Sequence, residues 1–361
     1  MKSVTQSTLI NVEPVHIDRH RVRKILVIKL RAIGDVILST IVLKNLRAAF
    51  PNAVIHFLTE KASTPIVHDN PEIDDVVMFH LPTTGSWKFL RQLRAKQYDL
   101  VIDLFCNPRS AFMTFFSGAR YRVGYPFRGR SYAYNILVPK RKEIAHNVEF
   151  NLDALRRIAI PIVDRSLSLP VDPEASARMK EFLSPIIASE KPLVILNPHC
   201  TRETNKWGLE HFAELGDAII EKLGYQIIII WGPGEYDDAI RVKGLMRNEA
   251  IITPQTSVKD LIALISLCDF IITNDSGPKH IAAAVGTASL GINGPTNPFM
   301  QGAYSENSAW VRMDELDCIA CNLTKCKIGN ICMTNFSVER VFAAFEKLVH
   351  RQPHIHESEQ R

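Results

Sequence analysis

Short apolar runs alternate with longer mixed segments along this chain, and the rhythm occurs twice. In the first half, Ile25–Leu30, Ala53–Leu58, Val76–Phe79, Leu100–Asp103 and Arg122–Gly124 read as short strands. Gly34 follows the first of them. The apolar segment Val36–Phe50 then predicts a helix stopped by Pro51 and Asn52. In the second half, strands are predicted at Leu193–Asn197, Gln226–Trp231, Phe270–Thr273 and Ala288–Ile292. Helices are predicted at Leu209–Leu223, Val258–Leu267, Pro278–Val285 and Ser337–His350. A helix between two strands carries the chain back to the end it started from, so such strands pair in parallel with helices on both faces. The fold class is therefore α/β, in two halves. Pro161, Pro170, Pro173, Pro185 and Pro192 mark a linker with one helix inside it. The expected organisation is a flexible arm over 1–22, a first domain over 23–170, a second over 171–349 and a disordered tail over 350–361. A cleft between two such halves is a common place for a ligand.

Composition narrows the class. The 361 residues are 46% hydrophobic and 22% charged, which excludes a disordered chain, a collagen-like fibre and a coiled coil. The net charge of +5 suits an acidic small substrate or an anionic surface. No apolar stretch reaches the length of about 18 residues that a spanning helix needs. The first residues lack the apolar core of a signal peptide, and seven cysteines is an odd number, so a cytoplasmic chain with reduced thiols is expected.

Some motifs are missing. There is no GxxxxGK[ST], no complete GxGxxG and no HExxH, and no two aspartates stand two apart as in a DxD metal clamp. Four segments at predicted strand ends carry candidate chemistry. Arg31-Ala-Ile-Gly34-Asp35 places a carboxylate at a helix start, either as an N-cap or as a general base. Asn274-Asp275-Ser276-Gly277-Pro278-Lys279-His280 opens a helix with Pro at its first position, which makes a phosphate cradle from a hydroxyl and helix amides. Asn197-Pro198-His199-Cys200-Thr201 is followed by Lys206, and Thr201 and Lys206 can hold a pyrophosphate. Trp231-Gly-Pro-Gly-Glu235 can wrap a base or ribose, with Glu235 accepting from sugar hydroxyls.

Together, RAIGDVILST, NPHCTRETNKW, WGPGE, NDSGPKHIAAAVGT and the closing cysteine group resemble the heptosyltransferases of glycosyltransferase family 9, over about 24–348. The resemblance implies a GT-B fold, two Rossmann-like domains with parallel sheets facing across a cleft, acceptor on the first and nucleotide sugar on the second. It implies inverting, metal-independent transfer from ADP-heptose or a similar donor, with no cofactor, to the lipopolysaccharide inner core. Asp35 matches the family's proposed base. Thr201 and Lys206 fall where donor phosphates are contacted, Asp275, Ser276, Gly277 and His280 match the donor motif, and Glu235 lies near a ribose-contacting acid. A sugar-nucleotide epimerase or hydrolase, or a non-catalytic nucleotide-sugar-binding protein, can share the two-domain shape. Asp35 beside an intact donor motif favours the transferase, since a pure binder has no use for a base.

Leu104–Lys142 holds eight basic residues, nine Phe or Tyr and no acid. This reads as a surface for an anionic, lipid-linked acceptor, with Arg120, Arg122, Arg128 and Arg130 as its contacts and Phe112, Phe115 and Phe116 toward the inner leaflet of the cytoplasmic membrane. No nucleic-acid motif accompanies it, so nucleic acid is not the expected partner. Cys318-x2-Cys321-x4-Cys326-x5-Cys332 is the one cysteine cluster. It can be a structural zinc site, a redox-sensitive loop or a set of reduced thiols, the last being the reading held here.

Overall fold

β1 (Lys24–Ile28) and β7 (Leu193–Asn197) each lie at the centre of a sheet, and four consecutive apolar residues of β1, Ile25 to Ile28, are fully buried. A strand covered on both faces needs such a run, because neither side meets water. The computed structural model describes residues 13–79, 87–187 and 190–352. It divides into two compact units, Met1–Pro170 and Val171–Arg361.

The first unit adds β2 (Val54–Glu60), β3 (Asp75–Phe79), β4 (Leu100–Asp103), β5 (Tyr121–Gly124) and β6 (Ile136–Leu137), in the order β3-β2-β1-β4-β5-β6. The second adds β8 (Gln226–Ile229), β9 (Ile251–Ile252), β10 (Phe270–Asn274), β11 (Ala288–Ile292) and β12 (Ser308–Val311), in the order β12-β11-β10-β7-β8-β9. Every pairing is parallel. Both units therefore follow the doubly wound order in which the chain reverses its direction of travel beside the first strand. The switch points lie between β1 and β4 and between β7 and β10, and the crevice at their carboxyl ends is where such sheets hold ligands.

Several expectations change. The segment expected as one helix is two, Ile33–Ser39 and Ile41–Ala49. Ser39 Oγ and Thr40 Oγ1 donate to the carbonyls of Val36 and Ile37 at 2.7 Å each, competing with the helical ladder at the break. The helix inside the Pro-rich stretch, Pro173–Ile187, belongs to the second unit and packs on Val258–Leu267. The described part of the expected arm, from residue 13, is held to the first unit: Val15 N donates to Arg157 O at 2.8 Å, and Ile17 and Val22 are buried. Residues 1–12 and 353–361 of the expected arm and tail lie outside the described residues. The two-residue strands β6 and β9 are too short to leave a pattern, and β12 is only half-buried along its length.

Candidate functional site

At the first switch point, Asp35 is the third residue of Ile33–Ser39. The N-cap is Ala32, which has no side-chain cap, so Asp35 is not spent on that role. The carboxylate is half-buried and accepts no hydrogen bond among the described residues. Lys29, just past β1, comes near it. Its Nζ donates to Leu104 O at 3.1 Å and sits 5.7 Å from the centre of the Phe105 ring. Burial pushes the Lys29 ammonium below its ordinary pKa, while the charges of Asp35, Asp103 and Cys106 act against that shift. Asp103 ends β4 fully buried and accepts from the Phe105 and Cys106 amides at 2.9 and 2.8 Å and from Tyr134 Oη at 2.8 Å. Burial raises its pKa against those bonds. The sequence reading passed over Lys29; the available signal was one cation closing an otherwise apolar strand.

The four arginines take different places. Arg128 is exposed, and Arg120 is exposed with its guanidinium 5.5 Å from the centre of the Tyr121 ring. Arg122 donates to the carbonyls of Ala133 and Ala119 at 2.9 and 2.7 Å, and Arg130 donates to Cys106 O at 2.9 Å. Those two guanidiniums brace the loop after β5.

At the second switch point, two asparagines that the sequence reading left without a role tie the segments together. Asn197 Nδ2 donates to Thr273 Oγ1 at 2.8 Å and to Ser276 Oγ at 2.9 Å. Asn274 donates to Pro198 O at 2.7 Å and accepts from the Trp207 amide at 3.0 Å. Asp275 forms a buried ion pair with Lys279, one helical turn on. Gly277 is the N-cap of Pro278–Val285, and His280 is buried in its first turn. Thr201 is exposed. Lys206 Nζ pairs with Glu203 Oε1 at 2.6 Å, a bond that raises the lysine's pKa and outweighs its slight burial.

Glu235 Oε2 accepts from the Gly232 amide at 2.9 Å and so closes the turn after β8. His199 is buried beside it, with Nδ1 3.9 Å from Glu235 and 3.7 Å from Asp238. Burial lowers its pKa, Glu235 and Asp238 oppose that, and Lys206 adds to it. Next to this turn Trp231, Tyr236, Phe182, Ile252, Thr253 and Gln255 line a hollow of about 440 Å³. Trp231 Nε1 donates to Thr253 O at 2.7 Å, and the Trp231 and Tyr236 rings lie 4.8 Å apart.

Cys318, Cys321 and Cys326 are exposed and Cys332 is buried, all with free thiols. Burial and the three neighbouring thiols push Cys332 up to about 11. Among the described residues no group of three His, Cys, Asp or Glu side chains has the geometry to hold a metal ion.

The profile of glycosyltransferase family 9 (heptosyltransferase) matches residues 86–332. Lipopolysaccharide heptosyltransferase 2 of Escherichia coli K12 is 23% identical, over 80% of this chain and 88% of that protein. The solved glycosyl transferase family 9 protein of Veillonella parvula DSM 2008 superposes with a TM-score of 0.80 at 25% identity, over 91% of this chain and 97% of that one. The E. coli ADP-heptose lps heptosyltransferase II superposes with a TM-score of 0.73 at 22% identity, over 91% of this chain and 99% of that one. The paired parallel sheets and these neighbours make the fold α/β of the GT-B class.

Proposed function

We propose, from the fact that the chain belongs to glycosyltransferase family 9 (heptosyltransferase) and is a glycosyltransferase, that it moves a heptose from ADP-heptose to an anionic lipopolysaccharide core acceptor with inversion and without a metal. ADP-heptose is named for the E. coli heptosyltransferase II, and the lipopolysaccharide for the E. coli relative. The observation that carries the reading is the contrast between the two units: an unspent carboxylate just past β1 in the first, and in the second a helix start after β10 and a cation after β7, with an aromatic hollow beside the turn after β8.

In this reading adenine enters the hollow beside Trp231 and Tyr236, and Glu235 accepts from the ribose. Thr201, Lys206 and the segment Asp275, Ser276, Gly277, His280 hold the diphosphate. Asn197 supports this by fixing Ser276, and the Lys279 pair keeps Asp275 from presenting a bare negative charge to the phosphates. Asp35 takes the proton of the acceptor hydroxyl as its oxygen bonds to the anomeric carbon. The bond from that carbon to the phosphate oxygen breaks, and ADP leaves with the electron pair. A single displacement from the face opposite the leaving group inverts the centre. Lys206 and the helix amides stabilise the charge gathering on the diphosphate, which is the task a metal would otherwise perform. Arg120 and Arg128 are the accessible contacts for acceptor phosphates or carboxylates, with Arg122 and Arg130 behind them.

The test is a transfer assay by mass spectrometry with ADP-, GDP- and UDP-sugars on a deep-truncated, deacylated core acceptor. Transfer from ADP-heptose that survives EDTA is expected. Asp35→Asn should lower kcat by about 10²–10⁴ and leave donor affinity in place. Loss of activity to chelator with recovery by magnesium, or an Asp35→Asn enzyme of wild-type rate, overturns the corresponding part.

A further inference from the structure

We propose that the first unit carries a bilayer-docking surface, an exposed aromatic cluster inside a basic field, that fits an anionic lipid membrane. Trp87 is 65% exposed, Phe112 39%, Phe115 46% and Tyr132 55%. They form one continuous patch. Phe116 lies 5.7 Å from Trp87, 4.3 Å from Phe112 and 5.6 Å from Phe115, and Phe115 lies 5.7 Å from Tyr132, between ring centres. The helix Pro108–Phe116 buries Ala111, Met113 and Thr114 on its inner face and still turns phenylalanines outward. A helix apolar on both sides has a second partner besides its own core, and contiguous exposed apolar surface marks an interaction site.

Charge selects the partner. Residues 87–142 contain twelve Lys or Arg and two acids; of the twelve, Arg141 pairs with Asp153 and Lys96 with Asp75. Asp103 is fully buried, and Asp99 accepts from the backbone amides of Arg23 and Lys24. Lys88 and Arg91 are exposed on the helix that starts at Trp87, and Arg109 is exposed on the helix that carries Phe112. An apolar patch ringed by cations matches a surface that is both apolar and anionic, with aromatic rings at the headgroup level and basic groups on the phosphates. A symmetric second copy would set one basic field against another. Single-stranded nucleic acid would need open ring faces. Here the rings pack on one another: Phe116 meets Trp87 and Phe115 edge to face, at 79° and 80°, and Phe112 at a tilt of 49°.

No helix among the described residues is long and apolar enough to cross a membrane, so docking is at the surface. The patch lies on the helix that follows β4, whose end, Asp103, is in register with Ile28 of β1, shortly before Asp35. A chain docked this way presents the edge that carries Asp35 to a lipid-anchored acceptor. That purpose rests on the reading above, whereas the binding itself does not.

The experiment uses the full chain and vesicles of phosphatidylcholine with or without 30% phosphatidylglycerol. Sedimentation with the anionic vesicles is expected, weakening in high salt. Trp87→Ser/Phe112→Ser/Phe115→Ser should cut binding at least tenfold while turning over a deacylated, soluble acceptor at the wild-type rate. Brominated phosphatidylglycerol should quench a fluorescence component that Trp87→Phe lacks, a readout independent of the triple variant's folding. Equal vesicle binding by wild type and triple variant, absence of quenching, displacement from vesicles by oligonucleotide at lower concentration than by lipid, or a dimer that the triple variant dissociates would each overturn the proposal. Patch-dependent vesicle binding without any sugar transfer would sink the transferase reading and leave the docking surface standing.

Discussion

Lys206 and Glu203 form an exposed pair, with Glu203 78% open to solvent, so the bond between them contributes little to stability and is readily exchanged for a ligand. A diphosphate arriving beside Lys206 replaces one carboxylate with a more highly charged partner. Lys206→Ala should weaken ADP binding by about 1.5–3 kcal/mol, the worth of a hydrogen bond to a charged group, as read by calorimetric titration. An unchanged Kd would remove Lys206 from the donor site. Arg122 and Arg130 teach the opposite lesson at the same scale. Both are cations in an acid-free stretch, yet their donors are engaged by backbone carbonyls, so their loss would loosen the loop after β5 before it altered any acceptor contact.

Among the elements, the helix Asn147–Arg157 carries a buried charge network. Glu149 pairs with Arg156 at 2.7 Å and also with Arg165, and Asp153 pairs with Arg141 and Arg156 at 2.6 Å each. Burial pushes the Glu149 carboxyl up, but the hydrogen bonds and charges of Arg156 and Arg165 outweigh it and hold the group below the usual glutamate range. A depressed folded-state pKa means the stabilisation is present above the unfolded value and is lost as pH falls through the folded one. The melting temperature should therefore hold from neutral pH down to about 4.5 and fall below it, near the ordinary glutamate pKa. Glu149→Ala should cost about 3–5 kcal/mol at pH 7, nearer the lower figure because Arg165 is 44% exposed, and should flatten the acid limb measured by thermal denaturation. A variant with the wild-type acid limb would show that other carboxylates set it. Arg141 is one of the eight basic residues counted toward an acceptor surface, and this network accounts for it instead.

For the whole molecule, the two units have separate sheets of the same strand order, and the proposed donor groups all belong to the second. ADP at 100 times its Kd should stabilise the unit that binds it by about 2.7 kcal/mol. Hydrogen exchange with ADP should protect 197–207, 231–236, 252–255 and 273–280 and leave the segments around Asp35 and β4 unchanged. Protection centred on β1 and β4 would move the nucleotide to the first unit and overturn the division of labour.

Strand runs such as Leu193–Asn197 and Ala288–Ile292, and helices such as Leu209–Leu223, Val258–Leu267 and Pro278–Val285, were legible in the sequence to the residue. Burial on both faces writes a continuous apolar run, and Pro or Gly at the ends punctuates it. Asp35 was legible as a position just past β1, because a helix start after a strand is local. What the sequence left open depended on partners far along the chain. That Lys29 sits among Asp35, Asp103 and Cys106 is decided by the pairing of β1 with β4, some seventy residues apart. The same holds for Asn197, Asn274 and His199, whose roles arise only when β7, β8 and β10 align and bring the segments after them within hydrogen-bonding distance. Local pattern reports how a residue's own segment is buried. Only tertiary pairing determines which polar groups it meets.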